Sequence, residues 1–175
     1  MLNSISAGFD MINYLVNDFS INKPLIVNRV GCGVFIRGQD FGIDTVVLCK
    51  LARIAGADCV YTGVISGSLA ESEQELRRDN VALKSELYHI KPCFSVVSGG
   101  IKPRDANFFI NIEHQGPDVM VQAGTGLFNF PYGIRAAAYV MRRMSELWHS
   151  GNKFTEAINI IDKELSAIKS NLEGL

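Results

Sequence analysis

The amino-acid sequence predicts an α/β protein built on a parallel sheet, and two observations carry that reading. Short, nearly continuous apolar runs rich in valine and isoleucine recur along the chain ("PLIVNRV", "ADCVY", "CFSVV" and "DVMVQ"). Strands buried on both faces of a parallel sheet have this composition. Between the runs lie segments with helical periodicity, and alternating strand and helix patterns build parallel sheets through right-handed crossovers.

Taken in order, residues 8–18 read as an opening helix, and strands are expected near 24–30, 58–62, 93–98 and 118–123. Within 43–55, Ile43, Val46, Val47, Leu51 and Ile54 recur at helical spacing. Ser72 and Glu75 form a capping box ahead of a charged helix extending to about residue 88. A short helix is expected over 104–113. Pro131 suits the first turn of the next helix, where Ala137, Val140, Met141, Met144 and Trp148 make one apolar stripe. Ser150-Gly151-Asn152 interrupts it, and Phe154, Ile158, Ile161, Leu165, Ile168 and Leu172 define a final amphipathic helix. Four strand–helix units plus this extra helix fit one domain over residues 1–175. They suit a doubly wound sheet or part of a (β/α) barrel, and in both folds ligands sit where strands end.

Composition narrows the function. The 175 residues are 47% hydrophobic and 20% charged, the profile of an ordinary globular domain. With 17 basic against 18 acidic residues, neither nucleic acid nor an anionic membrane is an expected partner. No run reaches the ~20 apolar residues of a membrane helix, and no basic leader marks a secretory signal. Cys32, Cys49, Cys59 and Cys93 are scattered, without metal-ligand spacing, and read as buried thiols of a reducing, cytoplasmic compartment.

Two apolar runs end in small residues, at Ser98-Gly99-Gly100 and at Ala123-Gly124-Thr125-Gly126. Glycine lets backbone N–H groups approach phosphate oxygens closely, and a helix starting just beyond adds its positive end. Tight turns without a ligand are the plainer explanation of either loop alone. "GCGVFIRG" lacks dinucleotide-binding spacing. Arg29, inside a parallel sheet, must be paired with a carboxylate or point into a site, and ligand contact is the favoured reading. Ser68 reads as an inert loop serine, since no histidine accompanies it. His89, His114 and His149 fall away from the strand ends, and Asp44, near a helix start, reads as a dipole-stabilised carboxylate with a base role as the sharper alternative.

These segments, in this order, resemble the C-terminal half of the RuBisCO large-chain family. "LNSISAGFDMINYLV" resembles the end of the fourth barrel strand and its helix. "NRVGCGVFIRGQDFGID" is similar to the fifth-strand segment, and "LARIAGADCVYTGVISGSL" to the sixth strand and mobile loop 6. "VVSGGI" and "VQAGTGLFNFPYG" are similar to the ends of the seventh and eighth strands. The resemblance implies a half-barrel of about four strand–helix units, equivalent to strands five to eight. It implies a sugar-phosphate site comprising Arg29, Ser98, Gly99, Gly100, Gly124, Thr125 and Gly126. The magnesium-binding lysine and acids belong to the family's other half, so no metal ligand carries over to this chain; Mg2+ is expected only if a complementary half supplies them. Histidine positions of the family are Asn28, Cys32 and Asp44 here, with Phe41 beside the last. The loop-6 lysine position is Ser68, which removes a cation that would stabilise developing negative charge. The resemblance therefore implies a phosphate-binding member in which CO2 fixation is not expected. Enolisation of a phosphorylated ketose would need a separate N-terminal half. The alternatives are a non-catalytic binding or assembly subunit, self-associating as a homo-oligomer, and an inactive remnant.

Overall fold

A computed structural model of the chain describes residues 1–38, 40–65, 71–104 and 118–173, the last seven by their backbone alone. The strands are β1 (Leu2–Asn3), β2 (Ile26–Asn28), β3 (Cys59–Thr62), β4 (Phe94–Ser98) and β5 (Val119–Gln122). The helices are α1 (Ser4–Asn13), α2 (Gly33–Ile36), α3 (Thr45–Ile54), α4 (Glu73–Lys84), α5 (Thr125–Phe128), α6 (Gly133–His149) and α7 (Phe154–Glu173). All five strands lie in one sheet in sequence order, each pair parallel. A doubly wound sheet reverses its strand order at a switch point. This one never does, so successive crossovers step the same way and form an arc of a (β/α) barrel.

The arc has five strands where four were expected as full units, because Leu2 and Asn3 pair with Val27 and Asn28. The opening helix also starts earlier than periodicity placed it. Asn3 accepts from the backbone N–H groups of Ile5 and Ser6 at 2.8 and 3.0 Å, capping α1 at once. Gly8, at φ +80°, kinks the helix, and a π-helical turn over Tyr14–Asp18 closes it. The Ser72–Glu75 capping box is present. The helix it starts ends at Lys84 rather than near 88. Pro131 lies in the turn ahead of α6, with the short α5 before it. The expected 104–113 helix falls, from residue 105 onward, outside the described residues.

Alternation along the strands divides the sheet. Val27 and Val60 meet Ile12 of α1, Cys49 and Ala52 of α3 and Leu83 of α4 in one core. Val119 and Val121 meet Val140 and Met144 of α6 and Ile161 of α7 in another. Each such aliphatic side chain contributes about 1.5–3 kcal/mol by leaving water. On α3 the structure corrects the expected stripe. Leu48, Cys49 and Ala52 face the sheet, while Val47, Leu51 and Ile54 lie exposed. The opposite sheet face is covered only in part: Cys59 and Val96 are buried, but Phe94 and Met120 remain 51% and 43% exposed, where a closed barrel would pack them.

One buried cation joins α3, α4 and β4. Arg53, 1% exposed, donates from Nε to the Lys91 carbonyl at 2.7 Å and from Nη2 to Ile90 at 2.9 Å. Its Nη1 donates to Ala82 at 3.1 Å and to Ser85 at 2.7 Å. These are carbonyls at the C-terminus of α4 and in the loop entering β4, where a positive charge meets the negative helix end. Arg53→Met should cost at least about 3 kcal/mol, since several buried acceptors lose their donor at about 1–3 kcal/mol each. Arg53→Lys, with a single nitrogen in place of the planar fork, should recover less than half of that. Urea denaturation of the three proteins measures both; near-parental stability of Arg53→Lys would show that charge alone suffices.

Candidate functional site

The C-terminal strand ends carry two neighbouring cavities joined by the Ser98-Gly99-Gly100 turn. One, of about 730 Å³, lies between the loops after β4 and β5, where Gly100, Lys102, Arg104, Thr125 and Gly126 reach it. The other, of about 620 Å³, lies over the ends of β2, β3 and β4, lined by Arg29, Val30, Val34, Tyr61, Glu71 and Ser98 among others. Gly99 and Gly100 take φ of +140° and +83°, conformations that favour glycine and let the chain turn directly off β4.

The glycines after β5 differ among themselves. A Cβ on Gly126 would stand 2.2 Å from the Ile101 carbonyl oxygen, so this residue is small because the two loops touch. A Cβ on Gly124 would meet nothing within 4 Å. Gly124 caps α5, whose first turn begins at Thr125, and first-turn N–H groups have no intrahelical acceptor. Lys102 and Arg104 follow Gly100 closely and supply positive charge that sequence reasoning overlooked; the signal was "IKPR" directly after the glycines. Arg104 is paired with Asp162 of α7, whereas Lys102 has no ion pair among the described residues.

Arg29 is not free. It projects from the end of β2 to Glu71, with which it forms an ion pair, and to Asp79 of α4 at 3.5 Å. Glycine at position 63 makes room for the pair: a Cβ there would lie 2.5 Å from the Glu71 carboxylate and 3.0 Å from Arg29 Nη2. Two carboxylates share one guanidinium, and Glu71 Oε2 and Asp79 Oδ1 are buried without a hydrogen-bond donor. Burial pushes the Asp79 carboxyl up to about 6, against Thr45 and Arg29, which pull it down. Burial likewise raises Glu71 against the nearby Arg29 charge.

The remaining candidates separate. Asn28 accepts from the Val30 backbone N–H at 3.2 Å, and its carbonyl accepts from the Ser4 hydroxyl. Cys32 is buried, and desolvation raises its thiol above the ordinary range, which disfavours a thiolate nucleophile. Asp44 caps α3 through the Val46 N–H and pairs with Arg78, so its carboxyl is lowered by the Val46 and Arg78 hydrogen bonds. Phe41 is exposed. His149 closes α6 with Nδ1 on the Ser145 carbonyl, and His89 sits in the turn before β4. Ser68 and His114 lie outside the described residues. Tyr61, not singled out from sequence, donates its hydroxyl to Gln122 Oε1 across β4. Among the described residues no three His, Cys, Asp or Glu side chains converge to hold a metal ion. Glu71 and Asp79 already enclose Arg29, so these residues do not fit a magnesium site.

The raised Asp79 carboxyl has a signed consequence. Its folded value of about 6 exceeds the unfolded value of 3.8, so the folded state holds the proton more tightly. The associated stability is complete below about pH 4 and is lost as pH rises through about 6. In Asp79→Asn this component disappears. The parent should therefore lose stability relative to the variant between pH 4 and 6.5, read by urea unfolding at both ends of the window; parallel pH profiles would overturn the assignment.

Comparison with known proteins gives this geometry a family. The model for the ribulose bisphosphate carboxylase large chain, catalytic domain, matches residues 1–171. The chain is 33% identical over 144 residues to a ribulose bisphosphate carboxylase of Pyrococcus horikoshii, covering 81% of this chain and 33% of that protein. It is 28% identical over 188 residues to a Methanocaldococcus jannaschii protein of the same name, covering 99% and 42%. The chain thus spans well under half the length of these relatives. The octameric Pyrococcus horikoshii enzyme, solved with sulfate ion, superimposes with a TM-score of 0.81 at 28% identity over 95% of this chain and 39% of that one. A RuBisCO-like protein of Alicyclobacillus acidocaldarius gives 0.81 at 24% identity over 99% and 42%, a likeness of fold. An arc of parallel strands with glycine loops at their C-terminal ends, matched along nearly its whole length, places this chain in the RuBisCO large-chain family.

Proposed function

We propose that the mouth of this barrel arc binds a phosphorylated small molecule, its phosphate seated between the loops after β4 and β5. The observation that supports this best is the pairing of unobstructed backbone with a cation, Lys102, that has no ion-pair partner among the described residues. Gly124 caps α5 and Thr125 opens its first turn, Gly99 and Gly100 take conformations that suit glycine, and Gly100, Lys102 and Thr125 line one cavity. The hydroxyls of Ser98 and Thr125 add donors. Backbone amides recognise phosphate without being titratable, and Lys102 supplies long-range attraction. In this reading the chain grips and orients the phosphate. Enolisation of a phosphorylated ketose, the chemistry that the family relative named 2,3-diketo-5-methylthiopentyl-1-phosphate enolase suggests, would require acids, bases and a metal from a complementary half. Ser68 in place of the loop-6 lysine disfavours carboxylation.

The reading extends to a partner. The partly exposed sheet face and the edges of β1 and β5, which pair with no further strand among the described residues, are surfaces that proteins cover. Association with a separate N-terminal half, or with a second copy, would cover them, and the octameric state named for the Pyrococcus horikoshii relative accords with assembly.

Calorimetric titration with inorganic phosphate and a ketose monophosphate tests the site. Gly124→Val projects a branched side chain into open space, so it should abolish binding while the protein still folds. Ser98→Ala should cost about 1 kcal/mol, the scale of one hydrogen bond, or roughly fivefold in affinity. If Gly124→Val bound phosphate as well as the parent, the site would have to lie elsewhere. Light scattering at micromolar concentration should give a mass above that of one chain; a well-folded monomer would sink the association proposal.

A further inference from the structure

The outer face of α3 carries a line of apolar side chains that the fold itself does not bury. Val47, Leu51 and Ile54 are 45%, 39% and 52% exposed, on the side of the helix away from Leu48, Cys49 and Ala52, which meet the sheet. Isolated exposed aliphatics are ordinary, but a contiguous line is not. The spacing here is four residues and then three, the narrow seam by which one helix packs along another. Ile43, also exposed, extends the line past the start of α3. Val81 of α4 flanks it across a groove that also holds Val46 and Lys50. The ridge lies on the outside of the helix layer. Closing the barrel arc would therefore leave it in water.

We infer that this ridge is the seam of a two-fold contact between two copies of the chain, with their α3 helices antiparallel and Val47 on the axis. The argument is that the ridge is its own complement about Val47. Three residues to either side stand opposite charges, Asp44 and Lys50; four residues to either side stand two apolar residues, Ile43 and Leu51. An antiparallel two-fold contact exchanges the two directions. It sets Ile43 of one copy level with Leu51 of the other, and Lys50 of one level with Asp44 of the other. Both charges are available. Lys50 is exposed and has no ion pair among the described residues. Asp44 meets the Val46 N–H and Arg78, and a carboxylate has room for about four donors. A parallel contact would instead bring Lys50 level with Lys50. Shifting the antiparallel axis to Leu51 would bring Ile54 level with Leu48, which faces the sheet, and would leave Lys50 without a carboxylate. This surface is separate from the sheet face and strand edges considered above, and it does not depend on any ligand.

Single cysteines read the contact directly, because Cys32, Cys49, Cys59 and Cys93 are all buried and the parent offers no exposed thiol. The intact chain carrying Val47→Cys or Ile54→Cys is oxidised with copper phenanthroline at micromolar concentration, and disulfide-linked dimer is measured on a non-reducing gel. A residue on the axis meets its own counterpart, so Val47→Cys should convert most of the chain to dimer. Ile54 is equally exposed but seven residues from the axis, which separates its two copies by roughly 20 Å, far beyond disulfide reach. Ile54→Cys should give background only. Adding Lys50→Glu to Val47→Cys replaces two attractions by two repulsions and should lower the yield about threefold or more. Equal yields from the two cysteine variants, no dimer from Val47→Cys, or a yield indifferent to Lys50→Glu would each overturn the inference. Association through the sheet face would survive all three results. Each substitution replaces an exposed side chain, so the readout does not hinge on a variant that fails to fold.

Discussion

The height at which β4 ends depends on a buried guanidinium that has no carboxylate partner among the described residues. Arg53 enters the layer between α3 and α4 and is satisfied by four backbone carbonyls, at Ala82, Ser85, Ile90 and Lys91. Those carbonyls end α4 and trace the loop that leads into β4. Holding them fixes where α4 stops and where β4 starts. The register of β4 against β3, with Cys59 opposite Phe94 and Thr62 opposite Val97, then sets the height at which Ser98 leaves the sheet. The Ser98-Gly99-Gly100 turn therefore depends on an interaction at the opposite end of the strand. Asp58 strengthens the same end, accepting from the Leu25 N–H at 2.7 Å and from Lys91 Nζ at 2.6 Å.

Arg29 makes an instructive contrast. Both arginines are largely withdrawn from water, but their neutralisation differs in kind. Carbonyl dipoles satisfy Arg53 without introducing a counter-charge. Arg29 is met by two carboxylates, and burial, with the Glu71 charge as a smaller contributor, raises the Asp79 carboxyl to about 6. An ion pair of this sort is weak evidence of stability, because desolvation opposes its attraction. Its effect lies rather in the electrostatics of the mouth, where it cancels the cation that β2 would otherwise present to a ligand.

How much of this was legible in the sequence follows from the range of each signal. The strands were legible because burial on both sides leaves continuous valine and isoleucine runs. The Ser72–Glu75 capping box was legible because both partners lie within one turn. The α3 stripe was misleading because that helix carries apolar residues on two faces, and periodicity alone cannot say which one meets the sheet. Leu48, Cys49 and Ala52 do; Val47, Leu51 and Ile54 do not. The early start of α1 was hidden because an asparagine cap and a two-residue strand leave almost no hydrophobic pattern. Arg29 was recognised as needing either a carboxylate or a ligand. Its partners Glu71 and Asp79 lie 42 and 50 residues away, beyond any local rule. Lys102 was missed for a different reason: a lone basic residue after a turn is indistinguishable from a solvated surface charge until the loops are folded together.

The glycine loops show why the family pattern and the physics must be read residue by residue. Gly99 and Gly100 are glycines because the chain turns through positive φ as it leaves β4. Gly126 is a glycine because the backbone at Ile101 and Lys102 lies against it, 2.2 and 3.0 Å from where a Cβ would be. Both causes are structural and would operate with no ligand at all. Gly124 is different, since neither a positive φ nor a neighbouring atom within 4 Å accounts for it. A position open on the protein side is where an external group has room to approach the backbone. Of the four glycines that suggested a phosphate site, Gly124 is thus the one whose smallness the protein's own packing does not explain. The case for a ligand at this mouth is strongest at that residue, on the loop facing the one that carries Lys102, which has no ion pair among the described residues.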